Sequence, residues 1–287
     1  MEILDGKKVS AKVREDLKLE VDNLKKKGIK PKLAVIMVGN DLASKVYVRN
    51  KNKACEEIGI EYEEFLLGEE TTMEELLNVI DNLNKNQNID GILLQSPIPK
   101  HLDINKAFRT ILPEKDVDGF HPINAGKLSI GEKCFVPCTP HGVVKIIEEY
   151  NIETEGKNVV IVGRSNIVGK PLIQCMLQKN ATVTVCHSKT RNLEEFTKKA
   201  DILIVAIGKQ KFITENMVKE GVVVIDIGIN RNEEGKLVGD VDFDNVSKKA
   251  SYITPVPGGV GPMTVAMLME NVVEAAKQNN LSGAIVY

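Results

Sequence analysis

The sequence lacks several features that mark particular classes of protein. Its 287 residues carry a formal net charge of −2, which gives no sign of nucleic-acid binding. No run approaches the roughly 18 apolar residues that span a bilayer, so we expect no membrane anchor. Cysteines are few, odd in number and scattered, and no apolar signal segment follows Met1. These absences predict free thiols in a reducing compartment, with the cytoplasm as the default.

A metal centre is also not predicted. Cys134 and Cys138 are separated by three residues and have no second pair, while the Cys186–His187 dipeptide lacks further ligands. No internal repeat, low-complexity tract or long linker is present. With 43% hydrophobic and 27% charged residues, the chain is typical of a soluble globular protein with room for two domains.

The first half of the chain alternates helical and strand patterns. A charged amphipathic helix is followed by strands that are separated by helices. The predicted strands are Lys32–Val38, Ile60–Leu67 and Asp90–Gln95, and the predicted helices are Val9–Lys27, one ending near Ile58, and Thr72–Asn86. This order predicts a βαβαβ unit with parallel strands.

The second half contains a segment suited to a nucleotide phosphate. Residues 159–162 are all β-branched, which predicts a strand buried on both faces. Gly163 allows a sharp turn, and Gly169 allows the next helix to approach the sheet. The N–H groups at the start of that helix then face an anion. Arg164 and Ser165 replace part of the common G-x-G-x-x-G pattern and add side-chain donors.

The next predicted strand, Ala181–Cys186, ends without a carboxylate. NAD-binding domains usually place Asp or Glu there to bind the ribose 2′-hydroxyl, and that carboxylate would repel a 2′-phosphate. His187 and Ser188 follow instead, so Ser188 and Arg164 would donate to a phosphorylated ribose. The pattern therefore favours NADP. The alternative is an ordinary strand-to-helix turn with a solvated arginine.

Three polar residues in the first half have positions suited to catalysis. Tyr47 and Lys51 are four residues apart, so on a helix they share one face. A tyrosine stacks on flat heterocycles, and a lysine becomes a useful base when burial or a neighbouring cation lowers its pKa. Gln95 ends a strand and would hold that amine. The alternative is an exposed lysine with a tyrosine that packs on the sheet.

These segments together resemble the bifunctional methylenetetrahydrofolate dehydrogenase/cyclohydrolase family, from Gly39 almost to the C-terminus. The motifs that carry the resemblance are Ser44–Lys51, Gln95–Pro99, Lys115–Phe120, Pro137–Pro140, Gly163–Pro171, His187–Thr190 and, most specifically, Thr254–Thr264. Ser96 departs from the leucine expected after the glutamine, which puts the shape of the adjacent pocket wall in doubt.

The resemblance implies a two-domain α/β fold. Residues 1–139 would form an N-terminal α/β substrate domain, residues 140–264 a Rossmann-type NADP-binding domain, and the C-terminal helix 265–287 would return to the first domain. It further implies oxidation of 5,10-methylenetetrahydrofolate with NADP and hydrolysis of the methenyl product to 10-formyltetrahydrofolate. A cytoplasmic homodimer acting in one-carbon metabolism and purine biosynthesis is expected. A dehydrogenase for another small substrate and a non-catalytic folate- or nucleotide-binding protein are the rival interpretations.

The resemblance also implies roles for individual residues. Lys51 would be the principal catalytic residue, Tyr47 would stack on the folate, Gln95 would tune the lysine, and Asp118 would bind the pterin, unless it only forms the turn beside Gly119. The remaining substrate-binding residues are Ser44, Pro257, Gly258 and Gly259. The cofactor-binding residues are Gly163, Arg164, Ser165, Ile167, Val168, His187, Ser188, Gly208, Ile229 and Thr264.

Overall fold

The computed structural model describes residues 1–282, which divide into two compact units. Unit 1 comprises Met1–Ala11, Leu128–Glu132 and Pro137–Thr264. Unit 2 comprises Lys12–Lys127, Lys133–Val136 and the chain from Val265 onward. Each unit has its own parallel β-sheet, and both sheets follow the α/β pattern expected from the sequence.

The elements of the first half are β1 (Glu2–Ile3), α1 (Gly6–Lys26), β2 (Lys32–Val38), α2 (Leu42–Ile58), β3 (Glu61–Leu67), α3 (Met73–Lys85), β4 (Gly91–Gln95), α4 (Ile104–Thr110) and α5 (Pro122–Ile130). Those of the second half are α6 (Cys138–Glu149), β5 (Asn158–Val162), α7 (Gly169–Gln178), β6 (Thr182–Cys186), α8 (Leu193–Thr197), β7 (Ile202–Val205), β8 (Val223–Asp226), β9 (Asn230–Arg231), β10 (Leu237–Val238), α9 (Phe243–Val246), β11 (Tyr252–Ile253) and α10 (Val260–Ser282).

The sheet of unit 2 has the strand order β3-β2-β4, and its strands are parallel. Its central strand β2 is buried along almost its whole length, as its run of branched apolar residues predicts. Side chains cap the connecting helices: Asp41 accepts a hydrogen bond from Ser44 N at α2, and Thr72 forms a capping box with Glu75 at α3. The predicted βαβαβ unit is confirmed.

A buried lysine fixes the loop that follows α4. Lys115 is 6% exposed, and its ammonium donates to the carbonyl oxygens of Leu83 (3.0 Å), Asn84 (2.9 Å) and Asn86 (2.7 Å) at the end of α3. Burial lowers the pKa of Lys115, and the nearby Asp90 partly opposes that change. The lysine thus replaces water as the partner of the helix-terminal carbonyls. It also anchors the loop that carries Asp118, the predicted pterin-binding residue.

The C-terminal helix α10 returns to the first half of the chain, as predicted. Asn271 donates to Val117 O at 2.8 Å, and Cys55 contacts Met269 sulfur to sulfur at 3.4 Å. The helix begins at Val260. Its buried residues include the small or flexible Ala266, Met267, Ala275 and Ala276.

The sheet of unit 1 has the order β1-β11-β8-β7-β5-β6, with parallel pairing throughout, which confirms the Rossmann-type prediction. The chain leaves β5 to build β6 on one side and then β7 on the other. Connections therefore diverge at the carboxyl end of β5. In open parallel sheets, ligands bind in the crevice that this change of direction creates.

Several elements differ from the sequence-based expectation. Strand β1 pairs with β11, so residues 1–11 lie in unit 1 rather than with the rest of 1–139. A strand of two residues leaves no periodic pattern to read. Helices α4 and α5 and the β9–β10 hairpin were not predicted, and the connection from β7 to β8 contains the short 3₁₀ turn Glu215–Met217. The domain boundary at residues 139 and 140 stays a prediction.

The described residues contain no helix that combines the length and apolar character needed to cross a membrane. Within residues 1–282, no group of three or more His, Cys, Asp or Glu side chains has the arrangement of a metal site. All the cysteines are free, and Cys134 is the one that is not buried.

Replacing Lys115 with methionine should destabilise unit 2. Methionine keeps much of the side-chain volume but leaves the Leu83, Asn84 and Asn86 carbonyls without their donor, at a cost of about 2–4 kcal/mol. Lys85→Met is the matched control, because Lys85 lies exposed in the last turn of the same helix. That control should cost less than about 1 kcal/mol. Denaturant unfolding measures both changes, and equal losses would refute the anchoring role of Lys115.

Candidate active site

Helix α2 brings three predicted substrate-binding residues together. Ser44, Tyr47 and Lys51 lie three and four residues apart on this helix. Ser44 is 2% exposed, and its hydroxyl has no hydrogen-bond partner among residues 1–282. Tyr47 is 45% exposed. A buried hydroxyl without a partner is costly, and an exposed aromatic ring is available for stacking, so both side chains have features of a ligand site.

The amine of Lys51 is bound to Gln95. Lys51 Nζ donates to Gln95 Oε1 at 2.6 Å, and Gln95 Nε2 donates to Ser96 O at 2.6 Å. Because the amide nitrogen already has a partner, its oxygen is left facing the amine. Gln95 is 8% exposed and ends β4. The strand therefore sets the position of the amine through one rigid amide.

Lys51 differs from the other lysines of the same helix. Lys45 and Lys53 are exposed, and Lys45 Nζ donates to the exposed Asn40 side chain at 3.4 Å. Lys51 is half-buried and contacts a buried amide. This arrangement favours the interpretation of Lys51 as a site residue over that of one more solvated lysine.

The turn that carries Asp118 is held by its neighbour Asp116. The buried Asp116 carboxylate accepts from Phe120 N (3.2 Å), His121 N (2.7 Å) and Asn124 Nδ2 (2.9 Å). Burial raises the pKa of Asp116 to about 7, those hydrogen bonds lower it, and the charge of Asp118 adds a smaller increase. Asp118 itself is half-buried. Asp116 thus supplies side-chain contacts that hold the turn. In the sequence-based interpretation, forming this turn was the alternative role of Asp118.

The turn between β5 and α7 requires its glycines. Gly163 has φ +136°, and a Cβ there would lie 2.4 Å from the Ala206 carbonyl oxygen. A Cβ on Gly169 would lie 2.5 Å from the Gly163 oxygen. Ser165 Oγ accepts from the backbone N–H groups of Val168 (3.2 Å) and Gly169 (3.3 Å) at the start of α7, so its own hydroxyl proton is available for a ligand.

A cavity of about 270 Å³, the unit 1 pocket, opens at the carboxyl ends of β5, β6 and β7. It is lined by Val162, Gly163, Arg164, His187, Ser188, Leu193, Ala206, Ile207, Lys209 and Phe212. None of these described lining residues is a carboxylate, and two are cations. His187 Nδ1 accepts from Lys189 N at 3.1 Å, so its neutral ring carries the proton on Nε2. The donors and apolar walls fit a nucleotide that bears an additional phosphate.

Four predicted cofactor residues line this pocket: Gly163, Arg164, His187 and Ser188. Gly208 lies between the lining residues Ile207 and Lys209, Ser165 binds the Val168 N–H at the start of α7, and Ile167 and Ile229 are exposed. Thr264 shares a 3.0 Å hydrogen bond with Thr139. In the predicted loop Pro257–Gly259, Gly258 has φ +114° and its carbonyl accepts from Lys7 N.

The sequence-based prediction missed the apolar wall and one cation of the pocket. The missed residues are Val162, Leu193, Ala206, Ile207, Lys209 and Phe212. Ala206, Ile207 and Lys209 follow the end of β7, and their position after a parallel strand is a signal that could have found them. Lys209 Nζ lies 5.5 Å from the centre of the Phe212 ring, a cation–π contact that no sequence pattern indicates.

Comparison with known proteins agrees with this geometry. Residues 4–118 match the family model of the tetrahydrofolate dehydrogenase/cyclohydrolase catalytic domain, and residues 137–280 match that of its NAD(P)-binding domain. The bifunctional protein FolD of Acetivibrio thermocellus is 58% identical over 275 residues, 96% of each chain. The crystal structure of the bifunctional FolD enzyme of Campylobacter jejuni is 54% identical and has a TM-score of 0.96, covering 97% of this chain and 99% of that one.

A second solved structure carries bound molecules. The FolD dehydrogenase-cyclohydrolase of Trypanosoma brucei, complexed with NADP and an inhibitor, is 36% identical with a TM-score of 0.92, covering 96% of this chain and 97% of that one. Both domains of the family are thus matched, in the order in which the fold presents them. The chain belongs to the tetrahydrofolate dehydrogenase/cyclohydrolase family of bifunctional enzymes.

Proposed function

We propose that the chain uses Lys51 and its partner Gln95 as the centre of one folate pocket that serves both reactions of the family. In this pocket 5,10-methylenetetrahydrofolate is oxidised with NADP, and the methenyl product is hydrolysed to 10-formyltetrahydrofolate. The observation that carries the proposal is the 2.6 Å hydrogen bond between Lys51 Nζ and Gln95 Oε1. The unpartnered Ser44 hydroxyl and the exposed Tyr47 ring on the same helix support it.

The oxidation depends mainly on alignment. The methylene carbon lies between two nitrogens, so loss of hydride leaves a cation that both nitrogens share as an amidinium. NADP supplies the hydride acceptor when it is bound. The protein's task is to hold the donor carbon in place: the Tyr47 ring stacks on the flat folate, and Asp118 accepts the paired donors of the aminopyrimidinone edge. Ser44, Pro257, Gly258 and Gly259 complete the substrate contacts.

The hydrolysis requires a proton acceptor. Water attacks the amidinium carbon and loses a proton, which gives a neutral carbinolamine. One carbon–nitrogen bond then breaks: the hydroxyl proton leaves as the formyl C=O forms, and the departing nitrogen gains a proton, so the reaction releases one proton overall. The Lys51 amine accepts the first proton and delivers the second. A neighbouring cation disfavours the ammonium form, so the amidinium itself promotes the basic form of the lysine. Gln95 keeps the amine directed at the water.

Preference for NADP over NAD is proposed from the donors of the unit 1 pocket. Arg164 and Ser188 would bind the 2′-phosphate, and the strand end at Cys186 carries no carboxylate to oppose it. Gly163, Ser165, Ile167, Val168 and His187 would contact the dinucleotide at the β5–α7 turn and the end of β6. Gly208, Ile229 and Thr264 would complete the cofactor contacts.

An assay of the purified protein separates this proposal from its rivals. Methylenetetrahydrofolate is supplied with NADP or NAD, the absorbance of the reduced dinucleotide is followed, and the formyl product is quantified. We expect reduction with NADP together with formyl product above the spontaneous rate. Reduction with another substrate alone would indicate a different dehydrogenase, and binding without turnover would indicate a folate- or nucleotide-binding protein.

We also propose a cytoplasmic homodimer whose 10-formyl product feeds purine biosynthesis. The resemblance to the family supports this part of the proposal. Light scattering should give twice the 31.6 kDa mass of the chain. A monomer mass at assay concentrations would contradict the dimer without affecting the chemistry.

Substitution of Lys51 by methionine should separate the two activities. Alignment of the methylene carbon survives, while the proton acceptor is lost, so hydrolysis should fall by at least about a hundredfold and methenyltetrahydrofolate should accumulate. Lys53→Met is the matched control, since Lys53 lies exposed on the same helix, and it should retain both activities. Cyclohydrolase activity of the Lys51 variant near the wild-type rate, after subtraction of spontaneous hydrolysis, would exclude Lys51 as the base or relay.

Substitution of Arg164 by alanine should weaken NADP binding by about ten- to a hundredfold, because one charge-assisted contact to the 2′-phosphate is lost. NAD binding should change little. Lys157→Ala is the control, because Lys157 precedes β5 at its opposite end and pairs with Glu153. Calorimetric titration with both dinucleotides measures the effect, and equal losses for both would show that Arg164 only supports the turn.

A further inference from the structure

A fully buried carboxylate in unit 1 holds one wall of the unit 1 pocket. Asp240 is 0% exposed. Its side chain accepts hydrogen bonds from three consecutive backbone amides, Ile207 N (2.7 Å), Gly208 N (3.0 Å) and Lys209 N (2.8 Å), and from Asn230 Nδ2 (2.9 Å). Ile207 and Lys209 line the pocket. The turn that forms the wall is thus fixed by a residue more than 30 positions away in the chain.

A second buried carboxylate, Asp226, fixes Asp240 in turn. Asp226 ends β8 and accepts from Asp240 N (3.0 Å), Val241 N (2.9 Å) and Gly228 N (2.8 Å). A Cβ on Gly228 would lie 2.3 Å from Asp240 Cγ, and one on Gly239 would lie 1.9 Å from Asp226 Oδ2. Because neither glycine has a Cβ, the two carboxylates can reach the backbone N–H groups. The loop that carries Gly228 therefore packs closely against the loop that carries Gly239 and Asp240.

Burying these two carboxylates costs free energy, and their hydrogen bonds hold particular backbone segments. Burial raises the pKa of Asp226 to about 6, its backbone hydrogen bonds lower it, and the charge of Asp240 raises it further. Among residues 1–282 neither carboxylate has a cationic partner, and two neighbouring buried carboxylates contribute little to the stability of a core. The backbone N–H groups that Asp240 binds belong to the turn after β7, which contains the predicted cofactor residue Gly208. Asp226 binds Gly228 N in the turn after β8, next to the predicted cofactor residue Ile229, and also holds the segment that carries Asp240. A carboxylate that accepts hydrogen bonds from adjacent backbone N–H groups fixes the geometry of a turn more firmly than apolar packing does, because such charge-assisted hydrogen bonds are strong and directional.

We propose that Asp240 is a positioning residue for the dinucleotide: it fixes the 207–209 turn as a wall of the unit 1 pocket, and Asp226 holds Asp240 in register. The inference rests on the proposed NADP-dependent function and extends it to two residues that need not touch the cofactor. Neither residue is required for hydrolysis of the methenyl substrate, a reaction that consumes no dinucleotide.

The two activities of the enzyme provide the test. Asp240→Asn keeps the side-chain shape but turns one acceptor into a donor that faces other N–H groups. We expect kcat/KM for NADP to fall between about ten- and a hundredfold, mainly through KM. The cyclohydrolase rate should stay at the wild-type value. Asn230→Ala, which removes one donor to Asp240, should raise KM for NADP in the same direction by a smaller factor, and it carries the test should Asp240→Asn fail to fold.

Asp201→Asn is the matched control. Asp201 precedes β7 at its amino end, accepts from Asn158 N at 2.8 Å and pairs with Lys219. It braces the same strand at the edge away from the pocket. This variant should lower the melting temperature and leave KM for NADP unchanged.

Two outcomes would overturn the inference: an unchanged KM for NADP in both Asp240→Asn and Asn230→Ala, or a loss of both activities in equal proportion, which indicates a merely structural role. Failure of the proposed function is distinct, because it appears as wild-type protein that reduces no dinucleotide with methylenetetrahydrofolate. In that case calorimetric titration of wild type and Asn230→Ala with NADP still decides the question, and equal dissociation constants would overturn the inference.

Discussion

Parallel pairing of strands is the constraint on which the rest of the structure depends. Parallel strands all end at the same edge of their sheet, so the turns that follow them are neighbours although they are distant in sequence. In unit 2, Gln95 ends β4 at this edge. It binds Lys51 of α2, the helix that follows β2. In unit 1 it gathers Gly163, His187 and Ile207 after β5, β6 and β7. Each candidate site is built at such an edge.

Buried charged groups then hold the turns that the sheets bring together. Four buried side chains bind backbone groups with their charged atoms, and none of them forms a salt bridge among the described residues. They are Lys115, Asp116, Asp226 and Asp240. Burial opposes ionisation in the first three, since the pKa of Lys115 is lowered and those of Asp116 and Asp226 are raised to about 7 and about 6. Multiple hydrogen bonds offset that cost. The loops thereby gain a rigidity that their sequence alone does not provide.

The sequence predicts what depends on local patterns. Branched apolar runs located the main strands, and the spacing of Tyr47 and Lys51 placed them on one helix. Gly163 and Arg164 indicated the nucleotide turn for steric and electrostatic reasons that are local to it. Contacts between distant residues were not predictable in this way. The Asp240 brace joins residues 33 positions apart, and β1 is too short for a pattern. Resemblance to the family, rather than spacing, supplied the roles of Asp118 and the loop Pro257–Gly259.

The bifunctional activity of the family raises the question of how one chain performs an oxidation and a hydrolysis. In the proposed mechanism both reactions act on the same carbon of the same bound folate, and the Lys51–Gln95 pair would supply the base for the hydrolysis without a second binding site. The most direct measurement is the inhibition constant of an unreactive folate analogue, determined separately against each activity with the same concentration of NADP present. A single pocket predicts competitive inhibition with the same constant in both assays. Clearly different constants, or inhibition of one activity alone, would contradict a shared pocket.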